Sequence, residues 1–288
     1  MSEALTLSRY LSDVYALTHE IGPETVRQYE IAVRLFERWS GGPVPLTALD
    51  ALKVSEWLRD LAQTRAPSTV RAKRVQVMAL WRAAADDGLC PLPTRRVRSV
   101  RVPMPDPVAW TRDEVGHLAA ACARLKRNHR CGLRRALWWE LAVRVAWDTG
   151  LRWGDMIALR VDQITEDGLV RLQQSKVRRP LLARLSPSTL ALAKRTVAEC
   201  PRGLLLPWTG SHETFSRQLR HLVRLACIRD GSWKWIRRGS ATDVELAERG
   251  AATAHLGHRP GSRVAALNYL DAEILGVNRQ LPRELRCG

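Results

Sequence analysis

"ALWWELAVRVAWDTGLRWGD", residues 136–155, is the stretch whose reading decides the fold. Its first fifteen residues are nearly all apolar, so the helix they form is buried rather than amphipathic, and Gly150 ends it. Directly beyond that end stands Arg152, between Leu151 and Trp153. A guanidinium at a buried helix end needs a partner. Asp155, about one helical turn on, is the candidate, and a plain structural ion pair is the bland alternative.

Upstream of this helix, "WTRDEVGHLAAA" opens the second half of the chain, and Thr111 with Glu114 has the spacing of a capping box. The basic stretch "RLKRNHRCGLRR" between them reads as a loop. Downstream, "GLVRLQQSKVRRPLLARLS" (168–186) alternates and carries polar, turn-like residues in its middle, which predicts a β-hairpin with Lys176 near its turn. The pattern is helical again from about residue 211.

The first half is helical over residues 6–88. Val26, Tyr29, Val33 and Phe36 form one apolar face, Val54, Trp57, Leu58 and Leu61 a second, and Val70, Val77, Trp81 and Ala84 a third. Arg71, Lys73 and Arg74 form a basic face on the third helix, to be weighed against an ordinary solvated surface. Residues 90–107, "CPLPTRRVRSVRVPMPDP", hold too many prolines for a regular helix and read as an extended linker. Arg95, Arg96, Arg98 and Arg101 are available there for phosphate contacts. The expected division is a helical domain over 1–89, a basic linker over 90–108, a second domain over 109–270 and a tail over 271–288. The expected class is mainly α with one small hairpin.

Charge points to the partner. The 288 residues carry 46 basic and 29 acidic side chains, a net charge of +17. Residues 1–108 contribute 15 basic and 12 acidic, hence +3, which leaves +14 for the remainder. A polyanion, most simply nucleic acid, suits that excess. No apolar run approaches the length of a membrane helix, and the N-terminus lacks a signal-peptide layout. The expectation is therefore a cytoplasmic protein with no membrane partner. Six scattered cysteines without a CxxC pair suggest neither a disulfide framework nor a zinc site. His255 and His258 lack companion ligands, so no metal and no cofactor is expected.

Three further segments concentrate chemistry. Lys176 stands out because the chain has six lysines against forty arginines, and lysine can give up its proton where arginine cannot. In "WKWIRRGSATD", Lys234 and Arg237 share a helical face, where two like charges cost energy unless an anion lies between them. In "HLGHRPGSRVAALNYLD", His258 follows a glycine and Tyr269 lies eleven residues on, the first tyrosine since Tyr29. Taken alone, Tyr269 reads as a packing residue.

Two arginines, a lysine or two and a histidine make a phosphate-binding set. With one tyrosine added, the set resembles the tyrosine recombinases, the lambda-integrase-like site-specific recombinases. The matching features are "TGLR" followed by Asp155, Lys176 in the hairpin, Arg237, "LGH" at 256–258 and Tyr269, in the family's order through residues 109–270. The chain has Lys234 where the family usually has histidine, and its interval from "LGH" to the tyrosine is a couple of residues longer.

The resemblance implies a helical core-binding domain and a catalytic domain closing as a clamp on double-stranded DNA, with four protomers acting on two sites. It implies Tyr269 as nucleophile forming a 3′-phosphotyrosyl link, without metal or ATP. Arg152 and Arg237 would hold the non-bridging phosphate oxygens, Lys176 would protonate the leaving 5′-oxygen, His258 would assist, and Lys234 would replace the usual histidine. The extra arm-binding domain of some phage integrases is not expected, and Ile274, Leu275 and Val277 are candidates for docking on a neighbour. Two rivals stay open: a type IB topoisomerase, and a DNA-binding protein that has lost catalysis.

Overall fold

The computed structural model describes residues 4–129, 131–175 and 178–276. The chain forms two compact units, Met1–Met104 and Pro105–Gly288.

The first unit is helical. A run of short segments, Leu7–Tyr10, Leu11–Tyr15 and Ala16–Thr18 (together α1), precedes α2 (Pro23–Trp39), α3 (Ala51–Thr64) and α4 (Pro67–Asp86). Pro23 and Pro67 each occupy a first-turn position, where the missing N–H costs nothing, and the Asp50 carboxylate caps α3. The apolar faces meet as the spacing predicts. Phe36, Trp57, Leu58, Val70 and Trp81 are all buried, with the Phe36 and Trp57 rings 5.0 Å apart.

Two expectations change here. Lys73 does not stand on a basic face. It is 6% exposed, and its ammonium donates to the Gln28 carbonyl at 3.2 Å and to Gln76 Oε1 at 3.0 Å. Lys73 falls three residues after Val70 and four before Val77, so helical spacing puts it on the buried stripe of α4 itself.

The proline-rich stretch does not stand free up to residue 108 either, because residues up to 104 belong to the first unit. Val97 is buried, Trp81 Nε1 donates to the Pro91 carbonyl, and Arg74 Nε donates to the Arg98 carbonyl at 2.7 Å. Arg71, Arg95, Arg96, Arg98 and Arg101 are exposed.

The second unit wraps several helices around α6 (Arg135–Thr149). They are α5 (Arg112–Ala121), α7 (Trp153–Ile157), α8 (Pro187–Glu199), α9 (His212–Ala226) and α10 (Lys234–Ala247). The capping box forms at α5: Thr111 accepts the Glu114 N–H, and Glu114 accepts the Thr111 N–H. α6 is buried through Leu137, Trp138, Trp139, Leu141 and Val145, so its near-continuous apolar run is satisfied on every side. The helix α8 follows a serine cap at Ser186 and adds a helix between the hairpin and residue 211, where the sequence pattern predicts none.

The hairpin is β1 (Leu169–Gln174) antiparallel to β2 (Arg179–Arg184), with Gln174 opposite Arg179. Lys176, at its turn, lies outside the described residues. Three short helices close the unit: α11 (Ala251–His255), α12 (Val264–Asn268) and α13 (Ala272–Leu275). Residues 271–275 are therefore built into this unit, while Val277 lies outside the described residues. No described helix is long and apolar enough to cross a membrane.

Candidate active site

Arg152, the Lys234–Arg237 pair and Tyr269 reach one cleft from three different elements. Gly150 ends α6 in the left-handed conformation (φ 58°), and a Cβ there would lie 2.9 Å from the His255 ring. That turn places Arg152 at the cap of α7. Gly257 (φ 66°) brings the "LGH" backbone against Gln174, where a Cβ would lie 2.7 Å from Nε2. Glycine is required at both positions for conformation and for room.

Lys234 and Arg237 occupy the first turn of α10, and Tyr269 sits at the C-terminal end of α12. Leu151, Arg152, Trp153, Lys234, Arg237 and Tyr269 line a shared cleft of about 530 Å³.

Arg237 is 3% exposed. It donates through Nη1 to the Gly150 carbonyl and through Nη2 to the Leu256 carbonyl, the latter at 3.2 Å. Its Nε has no hydrogen-bond partner among the described residues. Burial, with the charge of Arg152 beside it, brings the guanidinium down to about 10. It stays cationic at neutral pH.

Arg152 donates to Gln174 Oε1 at 2.8 Å, while Asp155 Oδ2 is 3.9 Å away. Asp155 is therefore a secondary partner. Its Oδ1 accepts instead from the Ser175 N–H and Oγ, at 2.8 and 2.7 Å, and so fixes the residue next to Lys176.

Gln174 was missed. It is fully buried, orients Arg152 with Oε1, and donates with Nε2 to the Leu256 carbonyl at 3.1 Å. Strand alternation carries the signal. Val170, Leu172 and Gln174 share the inward face of β1, so an amide stands where an apolar residue belongs.

Tyr269 is half-buried. Its ring centre lies 4.9 Å from the Arg237 guanidinium carbon, 5.4 Å from Lys234 Nζ and 5.5 Å from the His258 ring. Burial pushes the phenol up, but the charges of Arg237, Arg152 and Lys234 outweigh it and leave the group below the ordinary phenol range.

Tyr10 and Tyr15 shift the opposite way, upwards. Tyr15 is raised to about 12 by burial and by its hydrogen bond with Tyr29. His258 is held down at about 4 by burial and by Arg237, Arg152 and Arg179, and its buried Nδ1 has no partner among the described residues. It is neutral at pH 7 and able to accept or donate a hydrogen bond.

His255 has a different task. It is half-buried, lies 2.7 Å from Ser240 Oγ, and packs the α6 end against α10. Among the described residues no group of three or more His, Cys, Asp or Glu is placed to hold a metal ion.

Solved structures share this architecture end to end. Lambda integrase bound to DNA superposes with a TM-score of 0.70 at 17% identity, covering 98% of this chain and 99% of that one. The fold is that of the tyrosine recombinases. The XerH site-specific recombinase, in a post-cleavage complex with palindromic difH substrate, gives 0.70 at 16% identity over 96% and 85%. The Tn1549 transposon integrase, in complex with circular intermediate DNA, gives 0.67 at 12% over 96% and 100%. By sequence alone, no family model and no curated protein matches the chain.

Proposed function

We propose that the protein is a site-specific DNA recombinase that cuts and rejoins strands through a 3′-phosphotyrosyl intermediate. The observation that carries this reading is Tyr269 seated in one cleft with Arg152, Arg237 and Lys234, its phenol shifted towards ionisation by those charges. Packing alone gives no reason to gather three cations around a phenol.

In this reading, Arg152 and Arg237 bind the two non-bridging oxygens of the scissile phosphate, where negative charge grows in the transition state. Tyr269 Oη attacks phosphorus as its proton passes to neutral His258 or to water. The bond to the 5′-oxygen breaks, and Lys176 protonates that oxygen. The ester retains the bond energy, so a 5′-hydroxyl from a second strand reverses the step without ATP.

Neutral His258 donates to the phosphate or relays a proton, and Lys234 serves as a phosphate donor in place of histidine. Double-stranded DNA is the partner, held through the exposed arginines Arg71, Arg95, Arg96, Arg98 and Arg101 as well as the cleft. Arg74 keeps a role in shaping that surface. Four protomers on two sites complete the exchange, in the cytoplasm and bound to the chromosome.

Sequencing genomic fragments retained by Tyr269→Phe protein identifies the site. A nicked duplex carrying that site, incubated with the wild-type protein and then denatured, should yield a covalent adduct that Tyr269→Phe does not form. An adduct persisting in the variant refutes the assignment.

A further inference from the structure

The segment carrying Tyr269 is bound on both of its flanks, and by residues outside the cleft. On the N-terminal side, Arg238 Nε donates to the Asn268 carbonyl at 3.1 Å, and its Nη1 donates to the Val108 carbonyl at 3.0 Å. On the C-terminal side, Asp271 Oδ2 accepts the Ala109 N–H at 2.8 Å, and the Asp271 N–H donates to Thr242 Oγ1 at 3.1 Å. Arg229 holds the same entry segment from behind, donating to the Ala109 carbonyl at 2.8 Å and to both Glu114 oxygens.

Capping does not account for this arrangement. Asp271 Oδ1 alone caps α13, accepting the Glu273 and Ile274 N–H groups at 3.0 and 3.1 Å. Its Oδ2 reaches across the chain to residue 109. The carboxylate is 5% exposed and Thr242 is fully buried. A buried carboxylate is tolerated where each oxygen is hydrogen-bonded, and that requirement restricts it to one geometry.

Arg237, Arg238 and Thr242 lie on the same helix, α10. One face of α10 presents Arg237 to the cleft while Arg238 and Thr242 grip the chain that carries the phenol. Nucleophile and cation are thereby referenced to one rigid element.

We propose that Arg238, Thr242 and Asp271 are positioning residues for Tyr269, fixing the phenol against Arg237 by tying the chain on both sides of it to α10 and to the entry segment Val108–Ala109. The role of the phenol itself rests on the recombinase reading; its placement does not. Because Val108–Ala109 lies just inside the start of the second unit at Pro105, a displacement of that segment is felt at Tyr269.

Asp271→Ala and Thr242→Val test this, each made with and without Tyr269→Phe. The difference in phenolate absorbance during a pH titration isolates Tyr269, with no DNA present. Loss of positioning moves that titration up towards an ordinary phenol. It also slows single-turnover adduct formation on the nicked site duplex by roughly 10- to 100-fold, the scale of an ångström-level misplacement, with DNA affinity unchanged.

Asp271→Asn, which keeps one acceptor oxygen, should fall between. Folded variants whose titration and adduct rate both match the wild type overturn the proposal. If Asp271→Ala fails to fold, Thr242→Val, which removes only the hydroxyl's bonds to the Asp271 N–H and the Arg238 carbonyl, decides by the same two readouts. A wild-type protein that forms no adduct, but whose Tyr269 titration still shifts in Asp271→Ala, upholds the positioning role and refutes the nucleophile reading.

Discussion

The guanidinium carbon of Arg237 lies 4.9 Å from the centre of the Tyr269 ring, and the same guanidinium is held by the Gly150 and Leu256 carbonyls. One buried side chain thus joins the end of α6, the "LGH" turn and the phenol. It is oriented before any phosphate arrives. Preorganisation of this kind costs folding stability and returns it as transition-state binding.

Arg237→Lys should retain DNA binding but lose about 10²-fold or more in adduct formation, the scale for removing one preorganised donor. A lysine ammonium cannot serve both carbonyls and still present a two-pronged face to phosphate. Single-turnover cleavage beside a binding isotherm checks this, and a cleavage rate within threefold of wild type contradicts it.

Gln174→Leu should destabilise the second unit by about 0.5–1.5 kcal/mol, since the Leu256 carbonyl loses one of its two donors and keeps Arg237. Arg152 loses its 2.8 Å acceptor in the same variant. Adduct formation should therefore fall even at temperatures where the variant is fully folded. Thermal melts and cleavage assays on one preparation separate the two effects.

Lys176→Ala should cleave ordinary DNA slowly yet approach the wild-type rate on a substrate with sulfur at the 5′-bridging position. A thiolate departs without a proton, so the general acid becomes dispensable. Equal impairment on both substrates removes Lys176 from that role.

Acid should unfold the second unit through three of its half-buried histidines. His129, His255 and His258 each drop from 6.5 to about 4 on folding, chiefly through burial. The folded state disfavours their charged forms, so below 6.5 the unfolded chain binds more protons. This stability is fully present above pH 6.5 and is lost as the pH falls through about 4. The unfolding midpoint should decline across that window, and less steeply in His255→Gln. A flat profile between pH 7 and 4 rejects the assignment.

Much of the site was legible because its parts are local. Gly150 after an apolar run marks a helix end, and Lys234 and Arg237 share a face by spacing alone. Alternation from Val170 to Gln174 identifies β1. Gln174 itself follows from the same alternation, read as an amide on an inward face. Arg238 and Asp271 carry no such mark, because a charged residue between helices looks like any solvated one until its distant partners are known.

The sequence by itself determined most of the helices, α8 excepted, with the hairpin, the capping box at Thr111 and the set of residue types suited to phosphate. Those depend on periodicity and on backbone chemistry within a few residues. Tertiary structure decided partnership. It gave Arg152 to Gln174 and turned Asp155 towards Ser175. It buried Lys73 beneath the Gln28 carbonyl and brought Tyr269 over Arg237. These outcomes depend on which groups from remote parts of the chain arrive together in low dielectric, where every buried charge must find a partner. No local pattern encodes that meeting.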